Sequence, residues 1–151
     1  MIYTRGFKPL SEPSAFAPVN ELTLVGRLGL ALLAGAIIGA EREAKNKAAG
    51  LRTHILVSFG SAMFVLIPIQ LGAAQQNPDI LGRAISGIIG GVSFIGAGTI
   101  LRSSRVHGLT SAAAIWVSSA LGTAIGCGLW LLGLTGSLVA LIVLRLLEKL
   151  E

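Results

Sequence analysis

Few side chains in this chain of 151 residues can carry chemistry, and they crowd at the ends of apolar runs. Glu41, Arg42, Glu43, Arg52, His54, Arg102, Arg105 and His107 all stand within a turn or two of such an end, so folding can bring them to one surface. Glu41 directly follows one apolar run, and Arg52 and His54 open the next. A carboxylate beside hydrocarbon requires a cationic partner, which predicts a buried Glu41–Arg52 pair. Arg42, Lys45, Lys47 and Arg102 read instead as solvated residues or as snorkelling side chains reaching lipid phosphates. His54 and His107 with Glu41 or Glu43 offer imidazole and carboxylate to a divalent cation, but no HxxxH or HExxH spacing organises them and the metal stays unknown. The single Cys127 supplies neither an internal disulfide nor a cysteine cluster. No GxSxG, Walker A or Ser-His-Asp arrangement is visible, so the expectation is a non-enzyme without a cofactor.

The elements that would position these residues follow from composition. Charged residues make up 13% of the chain and its mean hydropathy is +0.79, against about 25% charged in an ordinary soluble domain. Residues 53–78, 84–101 and 106–144 contain no Asp, Glu, Lys or Arg, which reads as bilayer spans. The stretch 106–144 would be about 58 Å long as one helix, roughly twice a hydrocarbon core, and must fold back once. The expected break is at Gly126-Cys127-Gly128, with 133–136 as the alternative. The reading is all-α: a compact bundle of about five transmembrane helices at 22–40, 50–72, 80–101, 109–126 and 129–147. A tail (1–21) precedes the membrane domain (22–147), and a short end (148–151) follows it. Pro68 should kink or end the second span.

Basic residues collect on one side of this arrangement: Arg42, Lys45, Lys47, Arg52, Arg102, Arg105, Arg145 and Lys149. The other side has Arg5, Lys8, Arg27 and Arg83, so the positive-inside rule predicts an external amino terminus and a cytoplasmic carboxy terminus. The net charge of +5 thus marks topology, and nucleic acid is not an expected partner. Arg27 and Arg83 are expected to snorkel at the outer interface; pointing inward, either would mark an anion site or gate. Trp116 falls mid-span, where it is expected to pack against small residues, and Trp130 fits an interfacial belt. The pairs Gly35/Gly39, Gly87/Gly91 and Gly122/Gly126 form GxxxG ridges on spans one, three and four, which permit close helix contact in lipid. Exposed ridges of this kind often self-associate, and a homodimer is the expected assembly.

Several segments in order complete a recognisable set. Gly39-Ala40-Glu41-Arg42-Glu43, Gly50-Leu51-Arg52-Thr53-His54, Gly60-Ser61-Ala62, Gly91-Val92-Ser93-Phe94-Ile95-Gly96-Ala97-Gly98 and Gly108-Leu109-Thr110-Ser111-Ala112-Ala113 with Trp116 resemble the MgtC/SapB family of bacterial inner-membrane proteins across roughly residues 22–147. The resemblance implies a multi-pass domain in the cell inner membrane. It also implies a role in growth under magnesium limitation and virulence-associated intracellular survival, exercised by modulating other membrane proteins such as ATP synthase. It does not imply that magnesium is moved; an oligomeric small-ion transporter or channel is the alternative. It points to Glu41, Arg42, Arg52, Thr53, His54, Gly96, Gly98, Thr110 and Trp116; Thr110 can cap the fourth helix, and Gly96 and Gly98 can thin the third where a backbone crosses. Family members commonly continue into a soluble domain, so a short SapB-like form or a chain lacking that domain is expected here.

Overall fold

The first helix begins where Asn20 supplies a cap: its side-chain oxygen accepts from the Thr23 amide at 2.8 Å, and Glu21 follows in the first turn, favourable at a helix amino terminus. In the computed structural model, which describes residues 16–102 and 106–146, this helix, α1, spans Glu21–Ala44. It is followed by α2 (Leu51–Gln70), the one-turn α3 (Ala73–Gln76), α4 (Asp79–Gly98), α5 (Leu109–Gly126) and α6 (Trp130–Leu146). Between α4 and α5 the chain reverses through a two-residue antiparallel ladder, β1 (Leu101–Arg102) with β2 (Val106–His107). The fold is all-α and polytopic. The helices α1, α2, α4 and α5 have 24, 20, 20 and 18 residues and are long and apolar enough to cross a membrane. The fifth apolar helix, α6, has 17 residues and is about 26 Å long at ~1.5 Å per residue.

The fold-back between the last two helices falls at the expected glycines. Gly128 has φ +90°, the left-handed conformation that closes a helix cheaply only without a Cβ. Gly108, before α5, has φ +91°, and a Cβ there would run into the Thr99 carbonyl. It is the N-cap residue of α5, with no side-chain cap, so Thr110 lies inside the helix and does not perform the expected capping. Pro68 neither ends nor breaks α2 at its own position; the helix runs on to Gln70.

The centre of the bundle is α2, gripped by glycines from two sides. A Cβ on Gly35 would lie 2.5 Å from the His54 carbonyl oxygen, and one on Gly39 2.8 Å from the Leu51 Cα, so α1 runs antiparallel to α2 in backbone contact. On a neighbouring face, where α5 also packs on α1, Gly122 sits against the Ser58 backbone, and a Cβ on Gly126 would lie 2.9 Å from the Ala62 Cα, so α5 runs parallel to α2. Two of the three predicted ridges therefore clamp one helix. Gly133 of α6 meets the Ile125 side chain and closes α6 onto α5.

The exterior is apolar, unlike that of a water-soluble domain, and hydroxyls lie among the apolar side chains of the core. The serines Ser58, Ser61, Ser118, Ser119 and Ser137 are buried, whereas Leu22, Phe64, Phe94 and Leu131 are exposed. Hydrocarbon outside accounts for the exposed side chains; inside, a hydroxyl needs a partner because no water is at hand. Ser58 donates to the Ala31 carbonyl at 2.7 Å, tying α2 to α1, and Ser61 pairs with Ser119 at 2.8 Å, tying α2 to α5.

Candidate functional site

The end of the bundle where α1 passes into α2 carries a charged cluster. Glu41 is 5% exposed and Arg42 2%. The Arg42 guanidinium grips both carboxylate oxygens of Glu41, Nε to Oε2 at 2.6 Å and the second nitrogen to Oε1 at 3.1 Å. Lys45, one turn on, reaches Oε1 at 2.7 Å. This corrects the expected Glu41–Arg52 pair: Arg52 is exposed, and the cation that compensates Glu41 is its own neighbour. It also corrects Arg42, which does not snorkel. The physical reason is reach, since a long guanidinium can fold back along its own helix and satisfy a carboxylate bidentately before a residue on another helix is needed.

Glu43 has a role that no motif marks. Its Oε2 accepts from the Leu51 amide at 2.9 Å, closing the amino terminus of α2, and Gly50 lacks a side chain where that carboxylate lies. A carboxylate at a helix amino terminus also meets the positive end of the helix dipole. Inside the same turn His54 is fully buried, its Nδ1 2.8 Å from the Gly50 carbonyl and its Cβ against Gly39. Thr53 is half-buried beside it, while Arg83, His107 and Thr110 are exposed. The geometry thus brings Glu41, Arg42, Lys45 and Glu43 together with the start of α2, where His54 is buried while His107 is exposed. Among the described residues no three His, Cys, Asp or Glu side chains converge to hold a metal. The Arg102 side chain, Arg105 and Lys149 lie outside the described residues.

At the opposite end Arg27 turns inward. It donates to the Gly126 carbonyl at 3.0 Å, across from α1 to the carboxy terminus of α5, and its guanidinium occupies the space beside Gly128. Snorkelling is therefore replaced by an interhelical cap, in which a cation meets the negative end of a helix dipole. Replacing Arg27 with methionine is expected to cost about 1.5–3 kcal/mol, the range for a hydrogen bond from a charged donor; thermal unfolding in detergent checks it, with the exposed Arg83→Met as the small-effect reference. Cys127 lies in this turn, and burial pushes its thiol up to about 11, against the opposing pull of Arg27. Maleimide labelling should accordingly be slow at neutral pH and accelerate about tenfold per pH unit through the alkaline range, because the thiolate is the nucleophile. Also at this end, the Gln70 side chain pairs with both the amide (2.7 Å) and the carbonyl (3.1 Å) of Val19, fastening the segment before α1 across α2. No sequence signature marks that contact.

The third glycine ridge departs from expectation. A Cβ on Gly87 or Gly91 would meet nothing within 4 Å, and Gly98 is equally open; Gly96 alone of this set approaches a neighbour, with Ala112 at 3.6–3.8 Å. The helix α4 touches the bundle through Leu81, Ile88, Val92 and Gly96, leaving an apolar groove on each flank. The larger, about 570 Å³, lies against α2 and is lined by Leu56, Gly60, Phe64, Gly87, Gly91 and Ile95 among others. The smaller, about 230 Å³, lies against α5 and is edged by Trp116, which is half exposed. Neither groove is lined by a charged side chain.

The sequence pattern of the MgtC family matches residues 28–151. The chain is 45% identical to protein SrpB of Synechococcus elongatus over 90% of its own length and 81% of that protein. It is 43% identical to YhiD of Escherichia coli K12, whose name provisionally terms it a magnesium transporter, covering 82% of this chain and 60% of YhiD. It is 39% identical to protein MgtC of Salmonella typhimurium, over 74% of this chain and 46% of that protein. No solved structure matches.

Proposed function

The chain belongs to the MgtC family, and from that premise we propose that it is a non-enzymatic modulator of other membrane proteins, serving adaptation to low magnesium or intracellular survival. The observation that carries this reading is the uncovered α4 ridge. Two equivalent ridges in the same chain each accept a helix in backbone contact, while the surface around Gly87 and Gly91 is free and continuous with an apolar groove. In lipid such a face gains dispersion contacts by receiving another transmembrane helix, from a regulated protein or from a second copy in a homodimer. The dry Glu41–Arg42 pair supports the same reading, because a sealed ion pair on a packed helix end offers no hydrated vestibule. The concentration of Arg42, Lys45, Lys47 and Arg52 at one end supports placing that end in the cytoplasm, in a bacterial inner membrane.

The test is Gly91→Leu, which fills the groove without touching the buried ridges. It should abolish rescue of a deletion strain at limiting magnesium while protein level stays unchanged; unimpaired rescue would remove the proposal. The name borne by YhiD favours a second reading, an oligomeric ion transporter. Purified protein in liposomes distinguishes the two: the modulator passes no magnesium under a gradient, whereas the transporter does.

A further inference from the structure

Two polar atoms are buried without a protein hydrogen-bond partner among the described residues: His54 Nε2 and Ser118 Oγ. They lie on different helices, yet the register of the α2–α5 seam places the two residues at one level. Gly122 rests on the Ser58 backbone and Gly126 on that of Ala62, a constant offset along two parallel helices. One turn earlier the same offset brings Ser118 to the level of His54. Both side chains have no exposure to the surroundings. Other hydroxyls of this seam are satisfied, Ser58 by the Ala31 carbonyl and Ser61 by Ser119, so the unmet polarity is confined to this one level.

The chemistry of the two groups defines what can satisfy them. A carbonyl only accepts, so the bond between His54 Nδ1 and the Gly50 carbonyl places the ring proton on Nδ1. In the neutral ring Nε2 is then an acceptor and requires a donor; the Ser118 hydroxyl can donate or accept. A ligand that donates to one and bonds the other is a water molecule, the species that interiors use to satisfy such groups. One imidazole nitrogen and one hydroxyl fall short of the three or four protein ligands that zinc takes, and magnesium prefers carboxylate oxygens. We propose that the α2–α5 seam holds one internal water bridging His54 Nε2 and Ser118 Oγ. Towards the Arg27 end the seam is apolar, with Ala62, Val65 and Ile125 fully buried.

A high-resolution crystal structure from a lipidic phase tests this, paired with ¹⁵N NMR of His54 in lipid nanodiscs. Expected is a density peak within hydrogen-bond distance of both atoms, an Nε2 signal shifted as for a hydrogen-bonded, unprotonated nitrogen, and loss of that shift in Ser118→Ala. Ser61→Ala, which removes a seam hydroxyl elsewhere, should leave the His54 signal in place. A direct Ser118–His54 bond with no intervening peak, or a wild-type Nε2 signal of a nitrogen without a hydrogen bond, would overturn the assignment.

Discussion

Gly122→Ala is expected to destabilise the bundle, whereas Gly91→Ala is expected to leave it unchanged or slightly more stable, although both replace a helical glycine in a GxxxG ridge. The added methyl at Gly122 enters the space of the Ser58 backbone, which cannot move aside without displacing α2. Overpacking of this kind costs about 1–3 kcal/mol, and obstruction by backbone puts the site at the upper end. At Gly91 the methyl meets nothing within 4 Å, and alanine recovers up to about 1 kcal/mol of helix propensity. Unfolding midpoints of the two variants in one detergent check the opposite signs. A fall of equal size in both would mean that the α4 ridge is packed within the chain after all.

Glu41→Ala carries the second large effect. It leaves the Arg42 guanidinium, 2% exposed, with its charge uncompensated by the carboxylate it grips. Removing one member of a buried pair costs about 3–5 kcal/mol, most of it the penalty of the stranded charge. Replacing both residues with methionine should restore most of that loss, because the pair repays its own desolvation and little more. The double-mutant cycle measured by chemical unfolding in micelles reads the coupling directly. If Glu41→Met and Arg42→Met instead add independently in the Met–Met double mutant, the two side chains do not form a unit.

Much of this architecture was legible in the sequence because lipid imposes simple rules. Uncharged runs of the right length marked the helices, and Gly126-Cys127-Gly128 marked the return, since a charge-free stretch too long for one crossing must turn where glycine permits it. Glycine spacing marked the faces of α1 and α5 that approach another helix closely, but not that the helix is α2. The pattern could not distinguish a filled ridge from an open one: Gly87/Gly91 has the spacing of Gly122/Gly126, and only the path of the neighbouring helices leaves it uncovered. At the charged end, proximity along one helix competes with proximity between helices, and sequence spacing does not show which prevails. Arg42 lies one residue from Glu41 and prevails over Arg52. Arg27, Glu43 and Gln70 each bond backbone groups remote in sequence, and a backbone carbonyl or amide carries no residue identity for a motif to register.

The central claim is that the chain spends two glycine ridges on its own bundle and presents the third to another transmembrane helix. Photocrosslinking in native membranes from a benzophenone side chain at position 87 addresses it most directly, with position 138 on the exposed face of α6 as the lipid-facing control. The account predicts a discrete protein adduct, with a partner or with a second copy, from position 87 and lipid adducts alone from position 138. Lipid adducts alone from both positions would contradict it.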